Sequence, residues 1–453
     1  MSAALAPSWL RPVDPPDAVD VCVWSSTTRR DASGSLVVGG VSAGDAAAQF
    51  GTPVYLIDEA DVRSRAAAYR AAFAGWRIYY ASKALLSRAL VRVIADSGLS
   101  LDVCSGNELQ LALSADFPAE RIGLHGSNKS DVELRLALES GVEHIVADSF
   151  DELGRIERIH AATGVRASVL LRIKSGVEAH THESIATAHE DQKFGFSLAS
   201  GEALTALLRC HDNPAFDLLG IHSHIGSQIF DTNGFSLAAA RLLSLMQQFQ
   251  RATGVSLPEL NLGGGFGIAY NASDSPSTPA QLAAGLDAII ADSCAKFGID
   301  KPKLAIEPGR GIVGQAGTAL YTVGTIKDVE LDGGARRYVS IDGGMSDNPR
   351  PALYGAEYSC LLANRVSAAA PVLSRVVGMH CETGDIVVRD TYLPSDLAVG
   401  DLIAVASTGA YCVPLSSNYN MALRPPVVAV RDGVAHTWVR RETYADLLAR
   451  DVG

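Results

Sequence analysis

RIYYASK, residues 77–83, sets a β-rich apolar run directly against a lysine, and an amphipathic segment at Ser87–Ser97 follows it. The change from a period of two to a helical period predicts a strand running into a helix. Seven more apolar runs repeat the arrangement: Leu99–Val103, Arg121–His125, His144–Ala147, Ala167–Ile173, Leu218–His222, Glu259–Leu262 and Lys303–Ile306. Each leads into a helix-like stretch, such as Asn107–Ser114 after the second. Eight βα units in one unbroken series predict an α/β fold closed as a (β/α)8 TIM barrel. Polar punctuation falls at or just past the carboxyl ends of these strands, at Lys83, Ser105, His125, His224, Gly263–Gly265 and Glu307–Arg310. In a barrel those ends form the active-site face.

The pattern changes on either side of this series. After about Gly314, short runs at Tyr321–Val329, Arg337–Ile341, Ser374–Val377, Asp385–Val388, Leu402–Val405 and Val427–Val430 alternate with Gly, Asp and Pro turns. They predict a second, mostly β domain of sandwich or barrel type, ending in an amphipathic turn at Tyr444–Arg450. The expected organisation is an N-terminal segment 1–50, a barrel 51–314 and a β domain 315–453, with the N-terminal segment packing on the β domain. That segment has weak periodicity apart from an apolar run at Ser35–Val41.

Composition narrows the function. With 47% apolar and 19% charged residues the chain is globular, and a formal net charge of −12 argues against nucleic acid or anionic membrane as partner. The seven cysteines are scattered and include no CxxC pair, so reduced thiols are expected rather than a disulfide frame or zinc site. No basic-then-apolar leader and no bilayer-length apolar run is seen, which predicts a cytoplasmic protein.

Several residues carry potential chemistry. Lys83 at a strand end reads either as a snorkelling surface lysine or as a Schiff-base lysine whose pKa falls in a partly buried site. In HSHIGSQ, residues 222–228, the two histidines are read as facing opposite sides or ends, one in the core and one outside. His224 could stack on a flat ring, with Ser227 reaching a phosphate. NLGGGFG, residues 261–267, offers backbone N–H groups for a phosphate after the seventh strand, although it is no GxGxxG fingerprint. Glu307 in EPGR is either half of an ion pair with Arg310 or a contact for a pyridine nitrogen. Cys381 in HCETGD reads as ordinary packing on composition alone. His180, His182, Glu183, His189, Glu190 and Asp191 look metal-like but lack HExxH spacing and sit in a long polar segment, so a mobile loop over 180–193 is expected and no metal.

Together YYASKA, DVCSGNEL, GVEAHTHE, DQKFGF, HSHIGSQ, NLGGGFG, EPGR, DGGMSDNPRPALYG, HCETGD and GAYC resemble the fold-type III pyridoxal-phosphate decarboxylases. Within them the diaminopimelate decarboxylases are the most similar. The resemblance runs from about Gly51 to the C-terminal segment. It implies a homodimer with shared sites and pyridoxal 5'-phosphate attached to Lys83. His224 would stack on the ring, and Ser227, Gly265 and the Glu307–Arg310 turn would hold the phosphate and pyridine nitrogen. Arg310, Arg350 and Tyr354 match positions that grip the distal end of the substrate. Cys381, Glu382 and Tyr411 match residues that reach into the partner subunit's site, with Cys381 as proton donor and Lys83 as its competitor. Arginines for a second carboxylate and Glu382 for a distal ammonium imply meso-2,6-diaminopimelate as substrate, L-lysine as product, and ornithine or arginine as the rival substrates.

Overall fold

The computed structural model describes residues 5–15, 18–177, 192–332 and 334–453. The eight expected barrel strands all form, as Arg77–Ala81, Ser100–Val103, Ile122–Leu124, His144–Ala147, Ala167–Lys174, Phe216–His222, Glu259–Asn261 and Lys303–Ile306. Each pairs in parallel with the next, and Ala305 and Ile306 pair back to Arg77 and Ile78, so the sheet closes. Closure leaves none of the eight strands at an edge, brings all eight carboxyl ends to one rim, and adds only the short Phe196–Ser197 beside the end of the fifth.

The helices between strands begin where the sequence supplies caps. Ser87, Ser105, Ser130 and Ser149 each accept a hydrogen bond from a first-turn backbone N–H, starting the helices Arg88–Asp96, Gly106–Leu113, Asp131–Ser140 and Phe150–Thr163. Arg88–Asp96 buries Leu90, Val91, Val93 and Ile94 on one face, the amphipathic stripe expected of a helix covering a barrel. The helices Glu202–His211, Asn233–Thr253 and Pro279–Phe297 complete the ring up to the eighth strand.

The second unit is mostly β. Its sheet runs Ile386–Pro394, Pro371–Val377, Gly334–Ile341, Gly317–Leu331, Val54–Asp58, Val427–Arg431 and Val434–Val439, with Leu402–Val405 branching from the long central strand and Cys360–Leu362 pairing with that branch. That strand, Gly317–Leu331, changes partners along its 15 residues: Val54–Asp58 and Leu402–Val405 pair with its first half, Gly334–Ile341 mainly with its second. Val23, Trp24, Leu36 and Val38 pack in one apolar cluster with Leu320, Leu402 and Val428, so part of the N-terminal segment belongs to this core.

Compactness divides the chain into Met1–Ser64, Ile268–Ser275 and Arg310–Gly453 on one side, and Arg65–Gly267 with Pro276–Gly309 on the other. The chain passes from the barrel unit to the β unit between Gly309 and Arg310, inside the EPGR motif. Among the described residues no helix is long and apolar enough to cross a membrane.

Candidate active site

In the barrel unit the site is built around Glu307, which is 4% exposed just beyond the eighth strand. Its Oε1 accepts a hydrogen bond from Asn261 Nδ2 at 2.9 Å and lies 3.1 Å from His125 Nε2. Its Oε2 lies 3.2 Å from His222 Nε2. Burial alone would raise the carboxyl pKa, but the His125 and His222 charges and hydrogen bonds outweigh it and hold Glu307 well below the usual carboxylate range. These three ligand-type groups lie within 4.8 Å of one another. Asp102 completes the layer, 3.5 Å from His125 Nε2; burial pushes it up to about 6, against the pull of His125.

Strand geometry explains why these groups meet. His125 stands just past the third strand and His222 ends the sixth, yet their rings pack edge to face at 4.9 Å. Side chains from non-neighbouring strands touch only inside the barrel. The reading of His222 and His224 as facing opposite sides is therefore corrected: residues two apart on a strand share a face. His222 lies inside, and His224 continues the same face past the strand end.

His224 sits beside the glycine run. Gly264 N–H donates to His224 Nδ1 at 3.1 Å, which leaves that nitrogen unprotonated. Burial, then Lys83 and Arg172, lower the His224 pKa well below its ordinary value, so the ring is neutral. The N–H of Gly263 goes to Asn261 Oδ1 at 2.8 Å. Two of the three glycine N–H groups expected to cradle a phosphate thus have partners within the protein. The glycines serve close approach instead: a Cβ on Gly263 (φ +68°) would come 2.7 Å from Ser223 O, and one on Gly265 (φ +111°) 2.5 Å from Gly226 O. The HSHIGSQ loop with Ser227 and the NLGGGFG loop therefore pack backbone on backbone.

Lys83 follows the first strand, exposed, in a short turn over Ser82–Ala84. Its ammonium contributes to the electrostatics of Asp102, Cys104 and His224, which puts it at the same rim. Arg172, at the fifth strand, stacks over Phe194 at 4.3 Å and faces Asp148 at 3.8 Å.

In the β unit, Arg310 Nη1 donates to the Tyr270 hydroxyl, and its guanidinium lies 4.8 Å over the Tyr411 ring. Arg350, 6% exposed, donates to the Tyr358 hydroxyl at 2.5 Å and stacks over Tyr270 at 4.8 Å. One aromatic box, Tyr270, Tyr358 and Tyr411, thereby holds both arginines. Tyr411 adopts φ +66°, a strained choice for a residue with a Cβ. Cys381 and Glu382 stand exposed on the loop 380–385, with Tyr419 Oη 3.4 Å from Glu382 Oε2. Buried Asp385 anchors that loop, its carboxylate accepting from Met345 N at 2.6 Å and His380 N at 2.8 Å. Tyr354 ends the helix Arg350–Tyr354, half-buried.

The structure thus gathers Lys83, His224, Ser227, Gly265 and Glu307 on the barrel, and Arg310, Arg350 and Tyr411 in the aromatic box. Sequence reading missed His222, Asn261, Tyr270 and Tyr358 as parts of these clusters. A stricter count along HSH would have found His222. Tyr270 and Tyr358 carried no local signal. The metal-like group His180, His182, Glu183, His189, Glu190 and Asp191 lies outside the described residues.

The donor set suits a pyridoxal cofactor. A deep carboxylate kept ionised, a neutral imidazole, a lysine at one rim and loops too tight for side chains are what a flat pyridinium with an aldehyde requires. The fold and these residues define a cofactor-dependent barrel enzyme. Residues 59–314 match the family described as pyridoxal-dependent decarboxylase, pyridoxal binding domain. The chain is 51% identical over 436 residues to diaminopimelate decarboxylase of Mycobacterium tuberculosis (strain ATCC 25618 / H37Rv), covering 95% of this chain and 98% of that one. It is 45% identical to diaminopimelate decarboxylase of Bacillus subtilis (strain 168), covering 94% and 97%. The crystal structure of diaminopimelate decarboxylase from M. jannaschii in co-complex with L-lysine superposes with a TM-score of 0.87 at 30% identity, covering 95% and 98%. The chain belongs to the diaminopimelate decarboxylase family of pyridoxal-dependent decarboxylases.

Proposed function

We propose that this chain removes one carboxyl group from meso-2,6-diaminopimelate, yielding L-lysine and carbon dioxide, with pyridoxal 5'-phosphate as cofactor. The observation that carries the reading is Glu307 held as a carboxylate by His125, His222 and Asn261, beneath a rim bearing Lys83 and His224. When bound, the cofactor supplies an electron sink for the carbanion left by loss of carbon dioxide.

The residues divide the remaining work. Lys83 Nζ would be the attachment point for the aldehyde. Glu307, held as a carboxylate, would pair with the pyridine nitrogen and favour its protonated form, and a neutral His224 would lie against the ring without repelling its positive charge. Ser227, Gly265 and Arg310 would hold the phosphate. Arg350, with Arg310 and Tyr354, binds the distal carboxylate, and Glu382 the distal ammonium. Tyr411 would contact both cofactor and substrate. Cys381 Sγ delivers the proton to the substrate carbon, with Lys83 Nζ the alternative source.

Cys381 and Glu382 are exposed in the single chain, which supports a homodimer in which they serve the partner subunit's site. The composition supports a cytoplasmic location. The decisive assay measures carbon dioxide release with cofactor added, from meso-diaminopimelate beside ornithine and arginine. Release from the first alone is expected; release only from either of the others overturns the substrate assignment. Mixing a Lys83→Ala protein with a Cys381→Ala protein should restore part of the activity through mixed dimers. Two inactive proteins that stay inactive after subunit exchange would argue for sites contained within one chain.

A further inference from the structure

A (β/α)8 interior is ordinarily filled by branched apolar side chains. Here two polar layers occupy it. The upper layer is Glu307 with His125 and His222. Below it, the Tyr79 ring on the first strand packs edge to face against His144 on the fourth, at 5.4 Å. These strands are not neighbours, so this contact also lies inside the barrel. Gly123 makes room for it: a Cβ there would come 2.7 Å from His144 Nε2. The Tyr79 hydroxyl donates to Glu143 at 2.9 Å, and Glu143 pairs with Arg77, whose side chain is 48% exposed. The polar column therefore reaches solvent at the face opposite the strand carboxyl ends.

This column holds an excess of buried polar atoms. Both ring nitrogens of His144, Nδ1 of His222 and Oε1 of Glu259 are buried without a hydrogen-bond partner among the described residues. Such atoms are costly in a dry core, and proteins satisfy them with ordered internal water. We propose that the barrel interior holds a file of ordered water, centred on His144, that carries protons between the Glu307–His125–His222 cluster and solvent at the Arg77–Glu143 face. His144 takes a proton on one ring nitrogen as it releases one from the other, and a matching exchange of tautomers restores it.

The surrounding charges suit a relay. Burial, with His125 and His222 adding to it and Glu307 opposing, lowers His144 to about 3, so it rests neutral. Burial and the neighbouring Glu143 raise Glu259 to about 7, against Arg77 and Lys303, so it exchanges protons near neutrality. The cofactor and substrate would sit on the other rim. The protonation of the Glu307 cluster can then be reset while that rim is covered. This use of the file rests on the assignment of Glu307 above; the water itself does not.

Two measurements test it. A high-resolution crystal structure of the full chain, with or without cofactor, should show water bonded to a His144 ring nitrogen and to Glu259. A dry interior overturns the proposal. In the holoenzyme, a rapid pH jump followed by cofactor absorbance should relax about tenfold or more slowly in His144→Phe, with little change in the titration midpoint. Glu259→Gln, which preserves shape, should slow it less and decides the matter if the phenylalanine variant does not fold. Unchanged relaxation in the folded variants overturns the relay. If no cofactor binds, the functional reading falls while the crystallographic test of the water still stands.

Discussion

Glu307 of the barrel and Asp347 of the β unit are both buried carboxylates, 4% and 2% exposed, yet they are driven in opposite directions. Glu307 has two imidazoles against it and stays well below the usual range. Asp347 has neutral donors, the Tyr321 hydroxyl at 2.5 Å and the Gly344 N–H at 2.7 Å, and burial pushes it up to about 7. Burial alone favours the neutral acid; nearby cations decide whether a charge survives. The barrel spends its interior on keeping one negative charge, whereas the β unit uses neutral hydrogen bonds to secure a turn just before Arg350.

The largest effect should come from removing what the barrel charge serves. Lys83→Ala is expected to lower carbon dioxide release by about 10³-fold or more and to abolish the absorbance of the lysine-bound cofactor. Retained absorbance would mean that another group holds the aldehyde. Glu307→Gln keeps the shape and removes the charge; kcat should fall by about 10²-fold or more, with KM changed little. An unchanged kcat would reduce the barrel carboxylate to a structural group like Asp347.

Arg350→Ala should act on binding, raising KM for diaminopimelate by about 10- to 100-fold, the size of a lost charged hydrogen bond. A variant with KM intact would separate the aromatic box from the substrate's distal end.

The smallest effects concern pH and stability, and the two carboxylates should have opposite signs. Glu307 has a depressed folded pKa, so its contribution is present above the ordinary carboxylate range and is lost as pH falls through its lowered value. His222→Phe should move that loss to higher pH in acid denaturation. Asp347 has a raised folded pKa, so its contribution is present below about pH 4 and is lost as pH rises toward about 7. Asp347→Asn should flatten this slope in urea titrations across that range; an undiminished slope would assign it to another group.

The barrel was legible because its signals are local. A strand is an apolar run with a period of two, a helix start is a Ser cap, and Lys83 follows the first strand by its place in the chain. The same locality exposed Glu307, since EPGR follows directly on the eighth strand. What the sequence by itself determined about this protein is therefore the series of eight βα units, the rim to which their polar ends come, and the residue types offered there. Tertiary structure alone decided that His125 and His222 flank one carboxylate, that Tyr270 and Tyr358 enclose Arg350, and that Tyr79 meets His144 in the interior. Each of those contacts joins residues far apart in the chain through closure of a barrel or folding of a sheet. The charge state of a buried carboxylate follows from such neighbours, so it could not be read from Glu307 or Asp347 in isolation.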